Sequence, residues 1–412
     1  MRDIARRLWG LLGLGRRAPV EVRAPARGRG PTDHVILIDG TMSSLEEGQE
    51  TNIGRIYRTL RAVPQSARMS IYYEPGVQWR SWRDARDVAM GKGINRQIQR
   101  AYGWLATRYR PGDRVFLFGF SRGAYAVRSL AGIIDQVGLL RADCATERNV
   151  QLAYRYYRRA EPSRIRDIFV RRHCHPQVQI EMVGAFDTVK ALGLRLPFLW
   201  MWTEPQHDFH SHALGPHIRH GYQALALDET RAAYWPILWD TGAAAGDSHV
   251  EQVWFRGTHG DIGGQLGDFA AARPLANIPL VWMLERAERC GLALPADWRG
   301  DFPTDPAAPS VGSWRGWGRA FLFRARRVIG QDRSEAIHPT ARDRSRAARR
   351  AFGSATMTGA GQTRLPPSTA KAFPIPIFTG AARHGRLASP FIRQKRRPRW
   401  HSPTSPTFRS IS

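Results

Sequence analysis

The stretch VFLFGFSRGAYAVRSLAGII, residues 115–134, joins an apolar run to a segment of helical periodicity. Between them, Gly119-Phe120-Ser121-Arg122-Gly123 fits the pattern G-x-S-x-G. In this pattern a strand turns into a helix so sharply that the serine takes strained backbone angles, and its neighbours two residues away must lack bulk. The helix start then directs backbone N–H groups at the serine hydroxyl. The stretch predicts a nucleophilic Ser121 with elbow glycines Gly119 and Gly123; a plain strand–helix link is the alternative.

Short apolar runs alternate with helix-like segments from residue 34 to residue 340. Helical periodicity is clearest at 93–109 and 124–140. Continuous apolar runs are typical of parallel strands that helices cover on both faces. The predicted strands are His34–Asp39, Met69–Tyr73, Val115–Phe118, Val178–Val183 and Gln252–Phe255. We therefore expect an α/β fold, specifically an α/β-hydrolase-like doubly wound, mostly parallel sheet with helical lid insertions.

Composition divides the chain into three regions. Residues 1–33 form a basic extension and linker, with eight arginines against three acidic residues. Residues 34–340 form the predicted catalytic domain, with insertions at about 77–92 and 190–247. Residues 341–412 form a basic, Pro-rich tail with fifteen Lys or Arg and one acidic residue, and we expect it to be disordered. Since most of the net charge of +27 lies in the two ends, we expect no specific nucleic-acid partner.

A serine nucleophile needs a base and an acid, which in this fold follow it in the order acid, then histidine. Asp187 lies just past the end of the predicted fourth strand, and His259 lies in a glycine-rich loop after the last one. We predict that they complete the site with Ser121. Asp187 as a helix cap and His259 as a structural loop histidine are the alternatives. The rival acids are Asp228, Asp240 and Asp261, and Asp261 is the named alternative because it stands two residues from His259.

The loop after the first predicted strand has the sequence Asp39-Gly40-Thr41. The backbone N–H of Gly40 or Thr41 is the predicted second oxyanion donor, beside that of Arg122. Asp39 is interpreted as a turn residue rather than a catalytic one. The histidines of 207–220 and the HCH at 173–175 lack recognised ligand spacing, so we predict no metal and no cofactor.

Several segments together resemble one known family, a bacterial α/β-hydrolase domain family of largely unknown function that includes phospholipase effectors of type VI secretion. They occur in family order over about residues 34–340, and include VILIDGT (35–41), GFSRG (119–123), VGAFDTVKALG (183–193), ALALDETR (224–231) and VWFRGTHGDIGG (253–264). The resemblance implies a Ser–Asp–His triad at Ser121, Asp187 and His259. This chain departs from the family pattern at Phe186 and Gly260, where Trp and Ser are frequent.

The predicted function is that of a serine esterase or lipase acting on a lipid or phospholipid ester through an acyl-enzyme. The alternative is a non-catalytic module of the same fold that binds a membrane or nucleic acid through its basic ends. A peripheral membrane contact and a secretion-machine or immunity partner are the partners to consider. Without a signal peptide or an apolar run of membrane-spanning length, we expect a cytoplasmic protein, with membrane attachment or specialised export as alternatives.

Overall fold

The apolar runs of the sequence form one eight-stranded sheet in the structure, which is a computed structural model. It describes residues 30–64, 68–76, 92–159, 162–189, 214–242, 249–315, 318–319 and 321–342, and the backbone of 20–22. The strands are β1 (Val20–Val22), β2 (Asp33–Ile38), β3 (Met69–Glu74), β4 (Arg114–Phe120), β5 (Ile180–Phe186), β6 (Ile218–Ala226), β7 (His249–Phe255) and β8 (Glu335–Ile337). The helices are α1 (Asn52–Ala62), α2 (Lys92–Ala106), α3 (Arg122–Gln136), α4 (Glu147–Arg159), α5 (Arg164–His173), α6 (His259–Gly263) and α7 (Arg273–Arg289).

The strands lie in the order β1-β3-β2-β4-β5-β6-β7-β8, and all neighbours are parallel except β1, which pairs antiparallel with β3. Helices flank this sheet, so the predicted α/β, mostly parallel fold class is confirmed. The chain places β3 on one side of β2 and β4 on the other. Between β2 and β4 the strand order reverses, which is where ligands bind in open parallel sheets.

Two apolar cores cover the two faces of the sheet, because alternate residues of each strand point to opposite sides. Along β2, Ile36 and Ile38 belong to the core beneath α2, α3 and α4, while Val35 and Leu37 belong to the core beneath α1 and α7. Every residue of β2 is buried. The sheet is thereby fixed from both sides, and its carboxyl edge is left to carry the site.

The sequence interpretation was wrong at β6, which we had assigned to the insertion at 190–247. Residues 218–226 form an interior strand between β5 and β7. Its polar Gln223 is fully buried and bonds to Thr188, Gln252 and Arg128. These bonds make an interior glutamine tolerable, although it interrupts the apolar pattern.

The terminal regions are only partly described. Residues 20–22, which we had assigned to a linker, form the edge strand β1. Residues 77–91 of the insertion predicted at about 77–92, residues 190–213 of the one predicted at about 190–247, and the tail from 343 lie outside the described residues, as do most of residues 1–29. Within the ranges that are described, no helix has both the length and the apolarity required to cross a membrane.

Candidate active site

Ser121 stands at the turn between β4 and α3 with φ 58° and ψ −119°. A positive φ costs a residue with a side chain about 1–3 kcal/mol, and it persists only where the surroundings enforce it. The amide of Ser121 donates to the carbonyl of Phe186 at 3.0 Å, and the amide of Tyr125 donates to the carbonyl of Ser121 at 3.2 Å. The end of β5 and the first turn of α3 therefore hold the serine in its strained conformation.

The glycines on either side of Ser121 are required sterically. A Cβ on Gly119 would overlap the backbone of Gly123, and a Cβ on Gly123 would overlap the carbonyl of Ile38 at the end of β2. A backbone atom cannot rotate away as a flexible side chain can. A side chain at either position would consequently push α3 away from the sheet and open the turn.

The structure brings Ser121, His259 and Asp187 into one hydrogen-bonded chain. His259 Nε2 lies 2.8 Å from Ser121 Oγ, and His259 Nδ1 lies 2.6 Å from Asp187 Oδ2. A carboxylate accepts hydrogen bonds only, so Nδ1–H donates to Asp187 and Nε2 accepts from the serine hydroxyl. All three side chains are buried. The parallel register explains the meeting, because Phe120 and Phe186 are paired at the ends of β4 and β5.

Arg327 binds Asp187 with two guanidinium nitrogens, at 2.5 Å to Oδ1 and 2.9 Å to Oδ2. The amide of Ala226 also donates to Oδ1, at 3.0 Å. Burial alone would raise the pKa of Asp187, but the charge of Arg327 and the hydrogen bonds from His259 and Arg327 outweigh it and hold that pKa well below its usual range. Asp187 is therefore ionised at neutral pH.

Nothing in the sequence singled out Arg327. It belongs to a run of arginines near the end of the described chain, 140 residues from Asp187. Its guanidinium also donates to the carbonyls of Ala226 and Tyr234 at 2.9 and 2.6 Å. A buried arginine with every contact supplied by the carboxyl edge of the sheet can be recognised only once the sheet is built.

The imidazole of His259 is held between two aromatic rings. The ring centroids of Phe120 and Tyr234 each lie 4.8 Å from it. Its backbone amide donates to Glu229 Oε2 at 3.2 Å, and Glu229 is itself paired with Arg231 at 2.7 Å. The histidine is thus oriented by its ring neighbours and by its backbone as well as by Asp187.

Asp261, the alternative acid, has other partners. Its carboxylate accepts from the amide and hydroxyl of Thr258, closing a capping box at the start of α6. It also accepts from Ser310 and from the amide of Val311 at 2.5 and 2.9 Å. The carboxylate that reaches His259 is that of Asp187, while Asp261 fixes the helix start and a loop.

The oxyanion prediction needs correction at Gly40. Its amide donates to Asp39 Oδ1 at 2.6 Å, so that N–H is already engaged. Thr41 is tethered through its carbonyl by Gln265 at 2.9 Å and through its hydroxyl by Arg122 Nε at 2.5 Å. The buried guanidinium of Arg122 thus binds the neighbouring loop.

Asp39 anchors the same loop, as the turn interpretation expected. Its carboxylate accepts from Thr51 at 2.7 Å and from the hydroxyl of Tyr73 at 2.8 Å. Among the described residues, the groups that donate to this carboxylate are neutral. Burial raises the pKa of Asp39 to about 6, although the hydrogen bonds from Thr51, Tyr73 and Gly40 oppose the rise.

The candidate metal ligands are not assembled in the part of the chain that is described. There, no group of three or more His, Cys, Asp or Glu side chains could hold an ion. His217 directly precedes β6 and His220 lies within it, while His207, His210 and His212 lie outside the described residues.

A serine, a histidine and an aspartate at the carboxyl edge of a parallel sheet, with the serine on a strained strand–helix turn, define the class of α/β-hydrolase folds. Within that class the family is shown by its own model. The catalytic domain of the Tle1-like phospholipase effectors of the type VI secretion system (T6SS) matches residues 33–286, and the chain belongs to this family. The resemblance inferred from the motifs is confirmed.

Individual relatives are distant. An uncharacterized protein of Saccharomyces cerevisiae is 28% identical over 226 residues, which is 48% of this chain and 31% of that protein. The Tle1 effector bound to the VgrG spike from the type 6 secretion system is 17% identical, with a TM-score of 0.32, covering 59% of this chain and 53% of that one. Thermogutta terrifontis esterase 2 is 13% identical, also at 0.32, covering 66% and 89%. The chain thus spans about a third of the length of the yeast relative.

Proposed function

We propose that this chain is a serine hydrolase that cleaves carboxylic ester bonds of phospholipids through an acyl-enzyme. The observation that carries the proposal is the buried hydrogen-bonded chain Ser121–His259–Asp187. Membership in a family of phospholipase effectors supports the lipid substrate.

In the proposed first half-reaction, Ser121 Oγ attacks the ester carbonyl carbon while its proton passes to His259 Nε2. Asp187 stabilises the imidazolium that forms. The negative oxygen accepts hydrogen bonds from backbone N–H groups at the start of α3 and in the neighbouring loop, for which we propose Arg122 and Thr41. Collapse of this intermediate breaks the carbon–oxygen bond of the ester, and His259 gives its proton to the leaving alcohol.

In the second half-reaction, water attacks the acyl-serine. His259 Nε2 takes the proton of the water and returns it to Ser121 Oγ as the carboxylic acid leaves. Each proton removed is therefore returned, and the reaction needs no metal or redox partner.

A fluorophosphonate probe tests the nucleophile directly. We expect covalent labelling of the full chain on the peptide that contains Ser121, with labelling lost in Ser121→Ala. Ser129→Ala is the matched control, because Ser129 is an equally buried serine on α3, the helix that follows Ser121. Labelling that is equal in wild type and Ser121→Ala, or absent from both, would overturn the proposal. Release of fatty acid from phospholipid vesicles, with Ser121→Ala as the blank, then tests the substrate class.

We further propose that the chain is made in the cytoplasm and exported by a type VI machine, through contact with a spike protein. Membership in a family of type VI secretion effectors supports export by such a machine. Co-purification with the spike of the producing cell tests the contact, and secretion that persists in a strain without the machine would contradict it.

A further inference from the structure

We name as the strap residues 314–315, 318–319 and 321–329, which lie at the carboxyl edge of the sheet beside the proposed triad. On the inner side of the strap, Phe321 packs against Tyr234 with ring centroids 5.7 Å apart, and Arg327 binds Asp187. The strap lies beyond residue 286, where the family match ends. It is therefore a part of this chain that touches the site although the family model does not cover it.

Backbone hydrogen bonds fix the course of the strap. The amide of Ala232 donates to the carbonyl of Phe323 at 3.0 Å, and the amide of Ala325 donates to the carbonyl of Thr230 at 2.8 Å. With this pairing, the strap runs as an anchored segment along residues 230–232. Its inner side chains are committed to the site, and its outer side chains point elsewhere.

The outer side of the strap exposes large apolar side chains. Trp314 is 60% exposed, Leu322 62%, Val328 54% and Ile329 39%. Arg324 holds the Trp314 loop in place, since its guanidinium stacks 3.8 Å from the indole ring centroid and donates to the carbonyl of Gly318. With Phe323, which is 45% exposed, the strap holds five of the nine large apolar side chains that the described chain exposes; the other four are Met42, Ile165, Ile168 and Trp235. Concentrated apolar exposure of this kind marks an interaction surface.

The charge of the strap shows what kind of partner fits. Between Asp305 and Asp332 the chain has five arginines and no acidic residue. Arg324 and Arg327 serve internal contacts, whereas Arg315, Arg319 and Arg326 are exposed. Exposed tryptophan and aliphatic side chains interleaved with arginine are typical of segments that lie in the interface of a membrane with anionic lipids.

We propose that the outer side of the strap docks on an anionic phospholipid surface, with Leu322, Val328 and Ile329 entering the acyl boundary and Arg319 and Arg326 meeting the phosphates. The proposal rests on the proposed function, because a phospholipase must meet its substrate in a bilayer. The inner contacts of the strap with Asp187 place the docked surface directly beside the proposed triad. Phospholipid is thereby presented at the edge of the sheet where Ser121 lies.

Flotation with vesicles tests the docking in the full chain carrying Ser121→Ala, so that no lipid is consumed. Vesicles of phosphatidylcholine alone are compared with vesicles that also contain phosphatidylglycerol. Replacing Leu322, Val328 and Ile329 together by Ser should weaken binding at least about tenfold, because each replaced side chain no longer contributes the free energy of moving its apolar surface from water into the acyl boundary. Arg326→Gln should weaken binding to the anionic vesicles about fivefold and leave binding to phosphatidylcholine unchanged.

The matched control replaces Ile165 and Ile168 by Ser, because these isoleucines are exposed on α5 among other arginines. We expect vesicle binding to be unchanged. High salt should screen the basic ends and the arginine effect, while the effect of the three apolar substitutions persists. Unchanged binding of the strap variants, or a loss in the α5 variant instead, would overturn the proposal.

Hydrolysis of a soluble ester tests the proposed function independently of membrane docking. In the chain with Ser121 intact, the strap variants should hydrolyse a soluble short-chain ester at the wild-type rate and lose only activity on vesicles. If soluble ester is never hydrolysed but the strap variants still fail to float, the docking surface holds and the proposed function fails. If the strap variants retain full activity on vesicles, the docking surface is overturned and the esterase remains.

Discussion

Replacing Arg327 by Met tests whether a buried cation sets the charge state of the proposed acid. Methionine has a similar length, so it fills the space with little overlap and removes only the charge and the donors. In the wild type the side chains of Arg327 and Asp187 are 2% and 0% exposed, and water cannot stand in for the lost partner. Asp187 would be left with His259 and the amide of Ala226.

The substitution should change two quantities, the free energy of unfolding and the pH at which the Asp187–His259 pair takes up a proton. Removing one member of a buried ion pair costs about 3–5 kcal/mol of unfolding free energy, because the other charge stays buried. Opposite charges about 4 Å apart interact by about 4 kcal/mol at an effective dielectric constant of about 20, or about 3 units at about 1.4 kcal/mol per pKa unit. Relaxation and water entry reduce that figure. We expect the coupled Asp187–His259 pair to take up its proton at least about one pH unit higher than in the wild type.

The sign of the stability effect is fixed by the direction of the shift. The wild-type pKa of Asp187 is lowered, so the stabilisation from its ionised form is full at neutral pH. It is lost as the pH falls below the usual range of an aspartate toward that lowered pKa. The stability difference between wild type and Arg327→Met should therefore be largest at about pH 7 and smaller at about pH 4.

The assays are urea unfolding at both pH values and the pH profile of kcat/KM on a soluble ester. The acid limb should move to higher pH in Arg327→Met and stay in place in Arg327→Lys, which keeps the charge. Arg333→Met is the matched control, since Arg333 is an exposed arginine a few residues beyond the strap. An acid limb that stays put in Arg327→Met, with a stability loss no larger than in the control, would refute the reasoning.

Two further predictions concern the other acids near the site. Asp39→Asn should remove a pH dependence of the unfolding free energy. Because the pKa of Asp39 is raised to about 6, the wild-type protein should lose stability as the pH rises from about 4 to about 6. Urea unfolding should therefore show the stability of the variant increasing relative to that of the wild type over this interval. An identical pH dependence in both proteins would contradict this. Asp261→Asn should cost about 1–2 kcal/mol in urea unfolding by weakening the α6 cap, with kcat/KM on a soluble ester nearly unchanged. A loss of kcat/KM as large as that of Asp187→Asn would instead make Asp261 the catalytic acid.

The sequence was sufficient for five of the eight strands (β2, β3, β4, β5 and β7) and for the meeting of the three side chains, for one physical reason. Parallel strands bring their carboxyl ends to one edge, so residues that directly follow β4, β5 and β7 must lie close together. Ser121 and Asp187 each come immediately after a strand, and His259 begins the helix that follows β7 by a short loop. The position of each residue relative to the end of a strand was therefore enough to predict that the three side chains meet, although no contact was known.

The features that the sequence did not predict depend on hydrogen bonds between polar groups that are far apart in the chain. The strand β6 escaped detection because Gln223 is paired only after folding, by residues of α3, β7 and the loop after β5. The engaged amide of Gly40 depends on the position of the Asp39 carboxylate in the folded turn. The periodicity of a sequence shows which residues are apolar, but it does not show which polar atoms will form hydrogen bonds with each other in the folded chain.

Asp39 and Asp187 show what this missing information decides at the site. Both are fully buried carboxylates one residue beyond a strand of the same sheet, so burial raises the pKa of each. Asp39 receives hydrogen bonds from neutral donors, which do not offset the effect of burial, so its pKa is raised. Asp187 also receives the positive charge of Arg327, which outweighs the effect of burial, so its pKa is lowered. Of these two aspartates, each one residue beyond a strand, the one beside a guanidinium remains charged, which is the state that the proposed mechanism requires of the residue that stabilises the imidazolium.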